Sequence, residues 1–375
     1  MDALSLFYDI HELIIQHFDY QEIFKLWKVS TFWQSLVLEK NNYAMQKIKL
    51  NGQDSNHDEV WMVLQNKESK VNTDLFELLK TNRKYQNVKI NIDHGWDYVE
   101  ELIRNLRASL VCIEVTDVYV DDLKFPNLTQ LKLDNVLLDG LLTSCNKLTK
   151  LSATQSGKDL WLKKESPVAI KRALKRNQGL KFLELDEALT EVIFRDDISS
   201  EINFHLQHLQ IKCQKSFEFF SNIRNFLSMH AASLNHLEIG SIDDTTIEWI
   251  YVNMKSLKSL QFKIHFENNP RGFHLISHDS VIALDLDLTS NWQWTMNIKF
   301  ALREIILKTP CLEILILRMP SPLDLDDFRF ILVNAPKLRK FQQNNDCLNS
   351  YREVHEQMVA SENVSEKVEI SNIFL

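Results

Sequence analysis

Glycine is scarce in this 375-residue chain: there are seven, and no two lie closer than Gly140 and Gly157. That spacing excludes G-x-G-x-x-G and G-x-x-x-x-G-K, in which clustered glycines let backbone amides cradle phosphates. The nucleophile pattern G-x-S-x-G is also missing. Cysteine is sparse and scattered, at Cys112, Cys145, Cys213, Cys311 and Cys347, with no C-x-x-C pair. An odd, widely separated set suits reduced thiols rather than a disulfide framework. No basic-then-apolar leader opens the chain, and no apolar run approaches the ~18 residues that span a bilayer. A net charge of -8 argues against a dedicated nucleic-acid binder. The expectation is a soluble protein of the cytoplasm and/or nucleus with no cofactor, no membrane contact and no nucleic-acid partner.

Metal sites fare no better. His11 opens "HELII", which begins like the zinc motif H-E-x-x-H, but Ile15 occupies the second ligand position. In "LDLDL" (284–288), Asp285 and Asp287 share a strand face. Two carboxylates without further oxygen ligands read as a solvated surface. No metal is expected.

What the chain has is a repeat. The pattern L-x-x-L-x-L starts at Leu110, Leu128, Leu148, Leu180, Leu206, Leu234, Leu257, Val281, Leu312 and Leu338, with weaker copies at Met45, Tyr85 and Ser365. Periodicity of this kind decides a fold before any single motif does. Each copy ends in apolar–polar alternation, the signature of a strand with one buried face. Amphipathic segments such as "WDYVEELIRNL" (96–106) and "FEFFSNIRNFL" (217–227) precede many copies. One such unit cannot bury its apolar edge alone, whereas stacked neighbours can. The pattern resembles the leucine-rich-repeat family, which implies an α/β solenoid: a curved parallel sheet with outer helices. It departs from that family three positions after the last Leu of each strand. Val118, Val136, Ala188 and Ile242 stand where Asn or Cys is usual, so an incomplete internal hydrogen-bonding ladder is expected.

The first residues differ in kind. Ile10, Leu13, Ile14 and Phe18 form one helical stripe, Ile23, Leu26 and Trp27 a second, and Trp33, Leu36 and Val37 a third. So small a helical unit leaves apolar residues uncovered unless it caps the solenoid or docks on another protein. The segments Leu6-Phe7-Tyr8-Asp9-Ile10, Glu22-Ile23-Phe24-Lys25-Leu26 and Val29-Ser30-Thr31-Phe32-Trp33 resemble the F-box, with Phe7 where that family has Pro. The expected organisation is a small helical F-box over residues 1–40 and a solenoid over 41–375, clearest over 85–345.

The resemblance implies the non-catalytic substrate-recognition subunit of a cullin-RING ubiquitin ligase. Its F-box would bind a Skp-type adaptor through Leu6, Phe7, Ile10, Ile23, Leu26, Val29 and Trp33, and its repeats would hold a protein substrate. Two alternatives stay open. One is an interaction protein whose helices merely cap the solenoid. The other is a regulator of a small GTPase acting through an arginine such as Arg172, Arg195 or Arg271.

The alternation also nominates a substrate surface. Residues flanking the second apolar position of each repeat point outward, and most are polar. Phe182, Ile314 and Ile316 are apolar exceptions and candidate anchors. The acids Glu184, Asp186, Glu238, Asp285 and Asp287 share that face and favour a basic partner segment. The competing reading is that the tail after Gln343 covers Ile314 and Ile316.

Overall fold

The computed structural model describes residues 46–48, 60–66, 87–92, 104, 107–116, 125–134, 145–154, 165–194, 202–212, 220–264, 274–288, 296–319, 321–344, 348–361 and 368–372. The chain divides into two compact units, Met1–Gly179 and Leu180–Leu375. Each is an α/β solenoid of parallel strands. The three N-terminal helices and the segment at 96–106, apart from a helical Arg104, lie outside the described residues.

Unit 1 contains β1 (Gln46–Ile48), β2 (Val60–Asn66), β3 (Asn87–Ile92), β4 (Cys112–Thr116), β5 (Gln130–Asp134), β6 (Lys150–Thr154) and helix α1 (Glu165–Arg176). Each strand pairs in parallel with the next through β6. The weak copies at Met45 and Tyr85 are strands β1 and β3, but β2 escaped the pattern. Register aligns Met62 with Ile48 and with Val88. The first apolar position of that repeat therefore falls on Glu59, so its alternation lacks the leading Leu.

Unit 2 contains β7 (Phe182–Asp186), α2 (Glu187–Phe194), β8 (His208–Lys212), α3 (Phe220–His230), β9 (His236–Ile242), α4 (Asp244–Asn253) and β10 (Ser259–Ile264). It continues with β11 (Ala283–Asp287), α5 (Met296–Leu307), β12 (Ile314–Arg318), α6 (Leu325–Asn334), β13 (Lys340–Gln343), α7 (Leu348–Ala360) and β14 (Glu369–Asn372). All neighbouring pairs from β7 to β14 are parallel.

The register is close to exact repetition. Leu237, Leu260, Leu284, Leu315 and Phe341 partner one another across successive strands and are each no more than 1% exposed. Removing one such side chain costs about 2–5 kcal/mol through lost transfer energy and the cavity left behind. Helices supply the other wall: Ile223, Phe226 and Leu227 on α3, Ile247 and Ile250 on α4, and Ile305 and Ile306 on α5 are all fully buried. Their spacing is that of one helical face.

The backbone before each strand repeats too. The carbonyl of Asn235 accepts from the amides of Lys258 and Ser259 at 2.8 and 3.0 Å. The same double acceptance recurs at Lys258, Ile282 and Glu313.

The polar ladder expected to be incomplete is present elsewhere, in the turn between helix and strand. Asn177 is 1% exposed; its Nδ2 donates to the Cys145 and Ala173 carbonyls at 3.1 and 2.7 Å, and its Oδ1 accepts the Leu148 amide at 2.7 Å. The Ser233 hydroxyl donates to the Leu206 carbonyl at 2.8 Å, and that of Ser280 to the Leu257 carbonyl at 2.8 Å. His278 pairs through Nε2 with the Met254 carbonyl at 3.0 Å. Apart from the Asn177–Ala173 bond within one turn, each of these bonds ties one repeat to the preceding one, satisfying buried carbonyls and amides that would otherwise be orphaned.

The described part of the C-terminal tail does not fold back over the strand face. It adds a further repeat. Strand β14 pairs with β13, and Tyr351 of α7 packs against Phe328, with centroids 4.7 Å apart. Tyr351 also donates its hydroxyl to the Leu323 carbonyl at 2.7 Å.

Candidate interaction surface

Strand alternation in unit 2 brings the nominated residues into rows. One row runs Phe182, His208, His236, Ser259, Ala283, Ile314 and Lys340, each the register partner of the next. The row beside it runs Glu184, Gln210, Glu238, Gln261, Asp285, Ile316 and Gln342. Six of the eight nominated residues lie in these rows. Phe182, Ile314 and Ile316 are partly exposed at their ends.

The first row opens with an aromatic stack. The Phe182 and His208 rings lie 4.3 Å apart, and those of His208 and His236 lie 4.0 Å apart, nearly parallel. Burial lowers the His236 pKa, which favours the uncharged ring at that end of the stack. Sequence reading placed both histidines outward without foreseeing the stack, which follows once the repeats are aligned strand by strand.

The second row is acidic, but unit 2 supplies some of its own cations. Lys212 Nζ lies 2.5 Å from Glu184, and an Arg318 amine lies 2.5 Å from Asp285. Lys263 stands 4.0 Å from Asp287. Asp186 is used locally: its carboxylate accepts the Leu189 amide at 2.9 Å, at the start of α2. Glu238 sits between the paired acids; burial raises its pKa despite a hydrogen bond from Gln210 and the nearby Lys212. Burial likewise raises Asp285 to about 6, outweighing Arg318. Glu184, Asp285 and Asp287 thus pair with Lys212, Arg318 and Lys263, and Glu238 stands between them. Lys212 and Arg318 went unnoticed in the sequence because they end their strands, just past the apolar pattern.

Among the described residues no group of three or more His, Cys, Asp or Glu side chains could hold a metal ion. No described helix is long and apolar enough to cross a membrane. Arg172 is exposed on α1. Arg195 and Arg271 lie outside the described residues, as do Leu6, Phe7, Ile10, Ile23, Leu26, Val29 and Trp33.

Those N-terminal residues are where comparison with known proteins is informative. Residues 4–45 match the F-box domain, so the chain carries an F-box at its N-terminus. The match ends where β1 begins. Among solved structures, the complex of Rad7 and Elc1 from yeast is similar at 14% identity, with a TM-score of 0.42 over 80% of this chain and 70% of that one. No curated protein matches the chain.

Proposed function

We propose that this protein is the substrate-recognition subunit of a cullin-RING ubiquitin ligase. The F-box at residues 4–45 carries the reading. In this reading it docks a Skp-type adaptor through Leu6, Phe7, Ile10, Ile23, Leu26, Val29 and Trp33, and the repeats begin immediately after it. The chain makes no bonds itself. It raises the effective concentration of a substrate lysine near the ubiquitin thioester.

Substrate binds across the strand face of unit 2. Phe182, Ile314 and Ile316 act as apolar anchors, and Glu184, Asp186, Glu238, Asp285 and Asp287 favour a basic segment. The position of Glu238 between the paired acids supports this reading, because a cation from the partner would add to the charge balance that Lys212 and Arg318 begin.

The test is co-purification with a Skp-type adaptor, using the full chain and a chain lacking residues 1–45. Adaptor should be retained by the first and lost by the second, while circular dichroism shows the repeats still folded. Adaptor binding by the truncated chain would defeat the proposal. Ile314→Asp with Ile316→Asp should abolish substrate capture at an unchanged Tm; a large fall in Tm would mean these side chains serve the core instead.

A further inference from the structure

Five of the eight exposed large apolar side chains among the described residues occupy one position in the repeat. Met229, Val252, Ile276, Leu307 and Val333 each stand seven residues ahead of a strand, whose first residues are His236, Ser259, Ala283, Ile314 and Lys340. Those first residues are themselves register partners in a single row. Three of the five intervening turns, those before β10, β12 and β13, match as well. The amides of Leu257, Leu312 and Leu338 donate to the carbonyls of Met254, Thr309 and Ala335 at 3.1, 3.2 and 3.0 Å. Met254 and Ala335 have nearly the same backbone angles, φ -105 and ψ 58 against φ -115 and ψ 72. Equal lengths of chain, run back from an aligned row, and through matching turns for Val252, Leu307 and Val333, put the apolar side chains at one repeat position.

Scattered surface apolar residues are ordinary. This line is not scattered. By the same count, the strands starting at Phe182, His208 and Glu369 are preceded by Lys175, Glu201 and Glu362. Across five successive repeats the position is instead apolar, at 36% to 54% exposure. These side chains are too exposed to be core, and they form a ridge one side chain wide.

The same turns are basic within an acidic protein. Lys255, Lys258, Lys308, Lys337 and Arg339 stand against Asp279 and Glu313, in a chain of net charge -8. His230 and His278, buried in these turns, add no charge at neutral pH, because burial lowers both pKa values.

We propose that this line is a second docking surface, for an acidic amphipathic segment of a partner protein. The segment presents one row of apolar side chains flanked by Asp or Glu. A linear ridge suits a linear segment, in which apolar residues recur on one face and carboxylates meet the lysines on either side. An anionic bilayer fits less well, since a flat surface would press Asp279 and Glu313 against like-charged headgroups. The surface lies on the helix-to-strand turns rather than the strand face, so a partner held here leaves the substrate rows free.

The experiment selects a displayed library of random peptides on the immobilised full chain and, in parallel, on the Val252→Lys, Leu307→Lys, Val333→Lys triple variant. Peptides enriched on the wild type should carry an apolar row with acidic flanks. They should bind the variant at least about tenfold more weakly, as loss of apolar anchors produces. Lys255→Glu with Lys337→Glu should weaken the same peptides. If the triple variant lowers Tm, Val252→Lys alone and the lysine pair carry the test. Equal binding to wild type and variant overturns the proposal, as does enrichment of basic peptides or of none. Two further results also overturn it: variant-sensitive binding to phosphatidylserine vesicles without peptide binding, which assigns the ridge to lipid, and variant-sensitive dimerisation, which assigns it to a second copy.

Discussion

Single buried polar side chains connect adjacent repeats, and their removal should be felt out of proportion to their size. Asn177 satisfies the Leu148 amide and the Cys145 carbonyl at once. Asn177→Ala leaves both buried without partners and should cost roughly 2–4 kcal/mol, read as a drop in the urea midpoint. His230 acts through pH. Burial, reinforced by His205, lowers its pKa from 6.5 to about 4. The unfolded chain protonates near 6.5 and the folded chain near 4, so its share of stability is whole above pH 6.5 and lost as pH falls through that window. The loss is on the order of 2–3 kcal/mol. Asp285, raised to about 6, works in the opposite sense: it favours the unfolded chain at neutral pH and is relieved on acidification. Urea titrations between pH 7 and 4 should therefore steepen for Asp285→Asn and flatten for His230→Gln. Neither Asn177 nor His230 announced itself in the sequence. Histidine and asparagine inside turns look solvated until the register shows which carbonyl lies above them.

At the scale of elements, the apolar alternation marked the strands from β4 to β13 and the weaker β1, β3 and β14, because a strand with one buried face must alternate. Strand β2 was hidden by Glu59, and the helix-to-strand turns were illegible because their bonds join residues more than twenty positions apart. Three helices, α2, α4 and α6, are held at their starts by acids. Asp324 accepts the Asp327 amide at 2.8 Å at the N-terminus of α6 and also pairs with Lys299. Asp324→Ala should cost about 1 kcal/mol, visible as a Tm decrease of a few degrees. The last repeat is structural. Truncation after Gln343 strips Tyr351 from Phe328 and Phe341, and the shortened chain should show increased binding of a hydrophobic dye together with a lower Tm.

At the scale of the whole molecule, the sequence separated two kinds of information. The solenoid was legible because thirteen copies of one pattern reinforce each other, and the F-box because Val29-Ser30-Thr31-Phe32-Trp33 sits at the right distance from Leu6. The rows of the strand face were foreseen as outward positions, but their charge balance was not, because Lys212 and Arg318 reach back to acids on neighbouring strands. That balance has a measurable consequence. A basic substrate segment should associate more slowly as salt rises from low ionic strength to physiological, with a weaker effect on dissociation, in stopped-flow or biosensor traces. Glu238→Gln should reduce the salt dependence without altering Tm.

The serine stitches in the turns run one way, from a side chain in one repeat to the backbone of the repeat before it. Ser233 reaches Leu206, and Ser280 reaches Leu257. A gene for this protein could therefore lose the codons for Leu234 through Ser256 and still encode a joined serine–leucine pair, Ser233 followed by Leu257, with both stitches intact. Heredity would count such a chain in turns rather than in helices or strands. A deletion that removes one repeat here and keeps both stitches therefore begins at a buried leucine and ends at the serine of the next turn.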